Sequence, residues 1–321
     1  MNSILILRLS ALGDIVHTIP AVVALRESFS KVRIGWVVER PYEVLVRTVA
    51  PVDEVFPVAT KRWRREASSR STRTDLAALR RTIRGFARGE TSIDFQGLVK
   101  SASLGWMSGA RQRFGFDRHA IREKPALLFT NRRVAVDPGG HVVEQNLTLA
   151  RGVGAEQGGV PAVDYSRFLD GRDSTIRAVA DARPIVFLPG AGREEKQWPV
   201  DAYAALAPLL PAPVVAMWGP GEEELAREVE RRSNGVAAAG PPSNLQQLAY
   251  VLGHARVVIG GDTGPLHLAA ALGVQVVGLF GPTNPARNGP FGQLDRCVST
   301  WSTTRAIADI SPSAVLAAAG R

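Results

Sequence analysis

Short apolar runs recur along the chain, each closed by glycine, proline or a small polar residue and followed by a longer stretch with helical spacing. Runs of this kind read as buried parallel strands, and the longer stretches as helices covering the sheet. Ser3 to Arg8 (S-I-L-I-L-R) is the first strand, followed by the turn L-S-A-L-G-D and a helix from about Ile15 to Ser28, with Pro20 expected to make it locally irregular. Val32 to Val38 is the second strand, Pro41 opens a helix to about Val49, and Val52 to Pro57 is a third short strand. Thr60 to Thr72 is Arg/Ser-rich and reads as a mobile loop. A helix from about Asp75 to Arg88, a strand from Ser92 to Phe95, a short strand near Arg113 and a helix from His141 to about Arg151 complete the first half.

Between Gly152 and Asp181 the pattern loosens, which divides the chain into a domain over 1–160, a linker over 161–183 and a second domain over 184–321. In the second domain Pro184 to Leu188 and Val214 to Trp218 read as strands. Helices are expected at about Val200 to Leu209, up to Arg232, and over Ser243 to Leu252. The final helix, Ser311 to Ala319, is free to pack back on the first domain. The clearest unit is R-V-V-I-G-G-D-T-G-P-L-H-L-A-A-A-L-G-V-Q-V-V-G-L-F-G-P, starting at Arg256. Val257 to Ile259 is a strand ended by Gly260 and Gly261. Asp262 or Thr263 caps a helix from Pro265 to Leu272, and Val274 to Phe280 is the next strand. The helix N-terminus, with its free N–H groups and positive dipole end, suits a phosphate. The β/α rhythm of both halves predicts an α/β fold of two Rossmann-like domains facing across a cleft, with ligands at the carboxyl ends of the strands.

Composition adds limits. Hydrophobic residues make up 45% of the 321 residues, enough for two cores. The single cysteine, Cys297, excludes an intramolecular disulfide and a cysteine zinc site, and the five histidines lack metal-ligand spacing. No apolar run reaches the roughly 18 residues a membrane span needs, and no signal peptide precedes the first strand, so a cytoplasmic location is expected. Net charge is +9, with basic residues densest from Lys61 to Arg84 and continuing at Arg88, Arg111, Arg113 and Arg118. Such asymmetry points to a polyanion: nucleic acid, an anionic membrane or a phosphorylated substrate. Nucleic acid has only the charge in its favour, since no reader motif or aromatic-basic interleaving accompanies it.

Candidate chemistry follows from position. Asp14 lies in the first turn, at a strand's carboxyl end, where it either points into a cleft or caps the helix. Gln96 and Lys100, in D-F-Q-G-L-V-K-S, sit at another such end. Lys196 is in a glycine-rich loop on the same edge as Asp262 and is either placed to pair with a diphosphate or an ordinary surface lysine. His267 is one turn into the helix after Asp262-Thr263. Trp198 and Trp218 read as packing residues. A nicotinamide-binding turn is excluded, because L-S-A-L-G-D has one glycine where three are needed and G-P-G-E-E-E-L lacks the third.

These segments carry a resemblance. I-L-I-L-R-L-S-A-L-G-D-I-V-H-T-I-P-A, D-F-Q-G-L-V-K-S, the loop ending E-E-K-Q-W-P and G-D-T-G-P-L-H-L-A-A-A-L-G, in that order, resemble the ADP-heptose:lipopolysaccharide heptosyltransferases, glycosyltransferase family 9. The basic K-R-W-R-R, the I-R-E-K loop and the helix after His141 resemble its heptosyltransferase I branch, which adds the first heptose to Kdo-lipid A. The resemblance implies a GT-B fold and metal-independent, inverting transfer without a cofactor, with ADP-heptose as donor and Kdo-lipid A as acceptor. It implies Asp14 as the base and Lys196 as the cation on the leaving diphosphate. Ala191, Gly192, Glu222, Asp262, Thr263, Gly264 and His267 would form the donor loops, with Asp262 toward sugar hydroxyls and Glu222 near the ribose. Ala191 and Gly192 stand where the branch often carries hydroxyl residues, so side-chain hydroxyl bonds to the donor are lost there. Lys61, Arg62, Arg64, Arg65, Gln96, Lys100 and Arg122 become acceptor clamps for the Kdo carboxylate and lipid A phosphates. The charge also implies peripheral association with the anionic inner membrane. Rival readings are another member of the family with a different sugar or acceptor, and a non-catalytic nucleotide-sugar-binding protein.

Overall fold

The computed structural model describes residues 1–156, 158–211 and 213–320. The chain divides into two compact units, Met1–Arg167 and Phe168–Arg321, a division that falls inside the stretch read as linker.

The first unit contains strands β1 (Ser3–Leu7), β2 (Arg33–Glu39), β3 (Glu54–Val58), β4 (Thr91–Asp94), β5 (Gln112–Phe116) and β6 (Arg132–Val134). They form one parallel sheet in the order β3-β2-β1-β4-β5-β6, so the chain reverses direction beside β1. Helices α1 (Leu12–Val16), α2 (Ile19–Ser28), α3 (Glu43–Val49), α4 (Thr60–Arg65), α5 (Arg70–Ala87), α6 (Val99–Met107) and α7 (Val142–Val153) cover it. The second unit repeats the plan with β7 (Ile185–Leu188), β8 (Val214–Ala216), β9 (Ala237–Ala239), β10 (Val257–Gly261), β11 (Val276–Phe280) and β12 (Val298–Ser299). Their order is β12-β11-β10-β7-β8-β9, all parallel, and the helices are α8 (Ser174–Asp181), α9 (Val200–Leu206), α10 (Glu223–Arg232), α11 (Leu245–His254), α12 (Gly264–Ala271), α13 (Pro285–Asn288) and α14 (Pro312–Ala319). Two doubly wound α/β units are what the GT-B reading called for.

The central strands are buried on both faces: Ile4 to Leu7 in the first unit and Val258, Ile259, Val276 and Val277 in the second are at most 1% exposed. That is why they read as unbroken apolar runs rather than alternating ones.

Three local expectations are corrected. The single helix over 15–28 is two, α1 and α2, because Pro20 lacks an N–H and its fixed φ suits a helix start; the break at His17-Thr18 is closed by the Thr18 hydroxyl donating to the Asp14 carbonyl at 2.7 Å. The mobile loop over 60–72 is instead α4 and the first turn of α5. Ser69 caps α5 by accepting the Thr72 N–H, and Asp75 receives both the Arg62 guanidinium and the Trp63 indole, which pins α4 onto α5. Residues 174–181, within the looser stretch, form α8, capped by Asp173 and packed with Ile176 in the core beneath α11. The last helix, α14, buries Val315 and Ala318 in the core of the second unit beside α9.

Candidate functional site

In the first unit, β1 is followed directly by Arg8, whose side chain is 2% exposed and turned under α1. One guanidinium nitrogen donates to the Phe95 carbonyl, and Nη2 meets Asp14 Oδ1 at 2.7 Å. Asp14 lies in the first turn of α1, 22% exposed, and Arg122 approaches it from solvent with Nη2 3.3 Å from Oδ1 and Nη1 3.4 Å from Oδ2. Burial alone would raise the Asp14 pKa; the two guanidiniums outweigh it and hold the carboxyl below its usual range. Asp14 is therefore ionised, with Arg8 close beneath Oδ1, the Ala11 backbone N–H as a further donor to the carboxylate, and Arg122 at longer range on the solvent side.

The floor beside it is rigid. Gln96 is buried and its Oε1 accepts the Leu9 N–H at 2.9 Å, fixing the chain just after β1. Asp94 Oδ1 accepts the N–H groups of Gln96 and Gly97, and burial pushes its carboxyl up to about 6. Gln96, read as an acceptor clamp, thus has its oxygen committed to the backbone. Arg62 is likewise committed, to Asp75. Lys61, Arg64, Arg65, Lys100 and Arg122 stay exposed, Lys100 in the first turn of α6 rather than in a loop, and Arg65 only 3.5 Å from Glu66. Asp14 and Arg122 are brought together.

In the second unit the Lys196 ammonium lies 2.6 Å from Asp262 Oδ2, and His267 Nε2 lies 2.9 Å from Asp262 Oδ1. Gly261 makes this possible: a Cβ there would sit 2.3 Å from the Lys196 carbonyl oxygen, so only glycine lets the 189–197 loop lie against the end of β10. The strand runs through both glycines that were read as its end, and Thr263 rather than Asp262 takes the N-cap position of α12, without a side-chain cap bond. Asp262 is left to gather Lys196 and His267. Burial opposes its charge, but these two partners hold the carboxyl far below its usual range. The first-turn N–H groups of α12 have no intrahelical acceptor. Beside them the Thr263 and Thr283 hydroxyls, past the ends of β10 and β11, are buried without a partner among the described residues.

The remaining donor-loop residues lie at the same sheet edge. Glu222 accepts the Gly219 N–H at 3.0 Å, and its carboxylate fills the place a Cβ on Gly190 would need, joining the loops after β7 and β8. Ala191 accepts from Gln197, and Gly192 faces open space. Trp198 and Trp218 pack as read, their indoles donating to the carbonyls of Ile310 and Gly240. Cys297 is a protonated thiol, pushed up to about 12 by burial and by the charges of Asp295 and Asp262. Among the described residues no three His, Cys, Asp or Glu side chains gather as a metal site, and no helix is long and apolar enough to cross a membrane.

Two groups were missed in the sequence, Arg8 and Thr283. Thr283 had no signal beyond its place after a strand. Arg8 had one, a lone cation interrupting I-L-I-L-R-L six residues before an aspartate.

The family model of glycosyltransferase family 9 (heptosyltransferase) matches residues 76–311. Lipopolysaccharide heptosyltransferase 1 of Escherichia coli K12 is 32% identical over 300 residues, which is 90% of this chain and 91% of that protein. The enzyme of the same name from Pseudomonas aeruginosa PAO1 is 32% identical over 90% of this chain and 81% of its own length. The solved structure of E. coli heptosyltransferase WaaC with ADP superposes with a TM-score of 0.82 at 29% identity, covering 98% of this chain and 97% of that one.

Proposed function

Because the chain belongs to glycosyltransferase family 9, the heptosyltransferases, we propose that it transfers heptose from ADP-heptose to the Kdo residue of Kdo-lipid A, with inversion and without a metal ion. A solved relative, WaaC, is described with ADP-2-deoxy-2-fluoro heptose, which supports a donor of this class. The observation that carries the reading is Asp14, an ionised carboxylate past the end of β1 with one oxygen loosely held.

In the proposed reaction a Kdo hydroxyl attacks the anomeric carbon of heptose from the face opposite ADP. Its proton passes to Asp14 Oδ2 as the new C–O bond forms and the C–O bond to the β-phosphate breaks. Arg8 keeps Oδ1 in place throughout. Arg122 is drawn to the acceptor's carboxylate, and its departure from Asp14 raises the basicity of Oδ2 at the moment a proton has to be taken. The diphosphate leaves against the N-terminus of α12 and the Lys196 ammonium, which retains two N–H donors while its third is on Asp262. The Thr263 and Thr283 hydroxyls supply neutral donors at the same edge. Lys61, Arg64, Arg65 and Lys100 are the exposed cations left to meet acceptor phosphates, and an anionic inner-membrane surface is the place where that acceptor is met.

Transfer from ADP-heptose to Kdo-lipid A, wild type against Asp14→Ala, tests this. Transfer by the wild type, lost in a variant that still binds ADP-heptose, is the expected result. Donor binding without transfer moves the protein to another acceptor, and absence of donor binding overturns the substrate.

A further inference from the structure

The first unit holds a second basic site, on the sheet edge opposite Asp14. A cavity of about 620 Å³ is lined by Arg80, Arg84, Arg88, Arg111, Arg113 and Trp106, together with Gly89 and Ala110. Gly89 and Ala110 precede β4 and β5, so this is the amino-terminal edge of the parallel sheet, whereas Asp14 follows the carboxyl end of β1. Among the described residues none of the five arginines is paired with a carboxylate; Arg113 donates to the carbonyls of Phe129 and Ala110. The nearby Glu90 is turned to Asn2, accepting its backbone and side-chain N–H groups.

Apolar side chains stand exposed beside this cation cluster. Trp106 is 59% exposed and Leu128 83%, and Trp106 meets Phe129 edge-on with ring centroids 6.3 Å apart. Exposed indole and leucine among arginines is the composition of an interfacial anchor, where the ring sits at headgroup level and the guanidiniums take phosphates. The cluster is also continuous with the other basic end. Arg73, Arg80 and Arg84 share one face of α5, flanking the side that buries Leu79, Ile83 and Phe86. An 18-residue helix is about 27 Å long, so this stripe runs from α4, with Lys61, Arg64 and Arg65, to the cavity.

We propose that this arginine flank of α5 and the adjoining arginine cavity form a docking surface for an anionic phospholipid bilayer, the cavity seating headgroup phosphates and Trp106 and Leu128 entering the interface. This rests on the proposed function, in which the acceptor is lipid-borne, and it gives that reading an orientation: the α5 stripe lies along the bilayer and the acceptor clamps at its other end stay within reach of the membrane surface.

The test is co-sedimentation of the full chain with vesicles of phosphatidylcholine, with or without phosphatidylglycerol. Binding to the anionic vesicles only, weakened by salt, is expected of the wild type. Arg80→Gln/Arg84→Gln/Arg88→Gln should weaken it on the order of a hundredfold, given the strength of each basic residue at an anionic surface. Trp106→Ala should weaken it several-fold, while a charge-matched control, Arg151→Gln/Arg167→Gln/Arg177→Gln, stays within a few-fold of wild type. Equal losses in both triple variants would reduce the surface to general charge and overturn it. So would full binding by the Arg80/Arg84/Arg88 variant, although the membrane reading would then stand. Displacement by inorganic phosphate at matched ionic strength would make the cavity a free-anion site instead. Absence of wild-type binding would remove both. Transfer to a delipidated, water-soluble acceptor reports the enzymatic reading separately and should be unchanged in the Arg80/Arg84/Arg88 variant.

Discussion

Two aspartates, one in each unit, occupy similar places and are held in different ways. Asp14 and Asp262 both follow the carboxyl end of a strand central to a parallel sheet, both face two basic partners, and both are driven below the usual carboxylate range. At Asp262 each oxygen has its own close partner, Lys196 at 2.6 Å and His267 at 2.9 Å, and the side chain is 10% exposed. At Asp14 the one close side-chain contact, Arg8 at 2.7 Å, is on Oδ1; the half-exposed Arg122 reaches both oxygens at 3.3 and 3.4 Å, and the Ala11 N–H is a backbone donor to the carboxylate. A carboxylate with both oxygens occupied organises cations; one with an oxygen nearly released can take a proton. Sequence position alone does not separate the two roles.

The same substitution at both sites is the strongest way to break that contrast. Asp14→Asn keeps the shape and the Arg8 contact but removes the proton acceptor, so turnover should fall on the order of a thousandfold with donor affinity retained. Lys196→Met should come next, a few hundredfold in turnover, since a preorganised cation on the leaving group acts mainly in the transition state. If Lys196→Met instead raised the donor KM with kcat unchanged, the lysine would be a ground-state binding group.

Asp262→Asn should show itself chiefly in stability. It leaves Lys196 and His267 without the charge that gathers them, at a cost of about 2–3 kcal/mol in denaturant unfolding at neutral pH, below the full cost of a wholly buried pair because Lys196 is 18% exposed. The pH dependence has a definite sign. The folded pKa of Asp262 is depressed, so its contribution is present above the unfolded value of about 3.9 and is lost as pH falls toward the folded value. The deficit of Asp262→Asn should therefore shrink between pH 7 and pH 3. A deficit independent of pH would mean that packing, not charge, is what the substitution removes.

The contrast also shows what a linear sequence discloses. The β10-α12-β11 unit was legible because α12 has local chemical causes at both ends, Pro265 and Gly273, although β10 runs on through Gly260 and Gly261, which were read as its end. The strands β6 and β9 were not, being three-residue edge strands; Ala237-Ala238-Ala239 has no strand preference of its own and is fixed by pairing with β8. Helix α4 was misread because arginine-rich composition was taken as solvated loop, whereas long-range bonds from Arg62 and Trp63 to Asp75 hold it. In the site, Asp14, Lys196, Asp262 and His267 stood out by their positions after strands. That Lys196 and His267 converge on Asp262 depends on a backbone approach permitted by Gly261, which sequence does not display. Arg8 was hidden for a related reason: an arginine ending an apolar run is ordinarily solvent-facing, and only the folded chain supplies the Asp14 carboxylate and Phe95 carbonyl that admit it to the interior.

The smallest expected effect isolates the loosely held oxygen. Arg122 is 40% exposed and more than 3 Å from Asp14, so its ion pair is screened by solvent, and Arg122→Gln should change unfolding free energy by less than about 1 kcal/mol. Its consequence for the reaction should appear in the acceptor KM, with donor binding unaffected, because the arginine is the one group proposed to move between Asp14 and the acceptor's carboxylate. Arg122→Lys restores the charge without the planar fork and should recover part of that KM loss. Arg8→Gln provides the opposing case: the same charge is removed from a 2% exposed position, leaving Asp14 without its close partner, so stability and turnover should fall together. If Arg122→Gln were as destabilising as Arg8→Gln, both guanidiniums would be structural and Oδ2 would not be the released oxygen. If Arg122→Gln altered neither stability nor acceptor KM, Asp14 would be set by Arg8 alone, and the coupling between acceptor binding and the base would have to be sought elsewhere in the first unit.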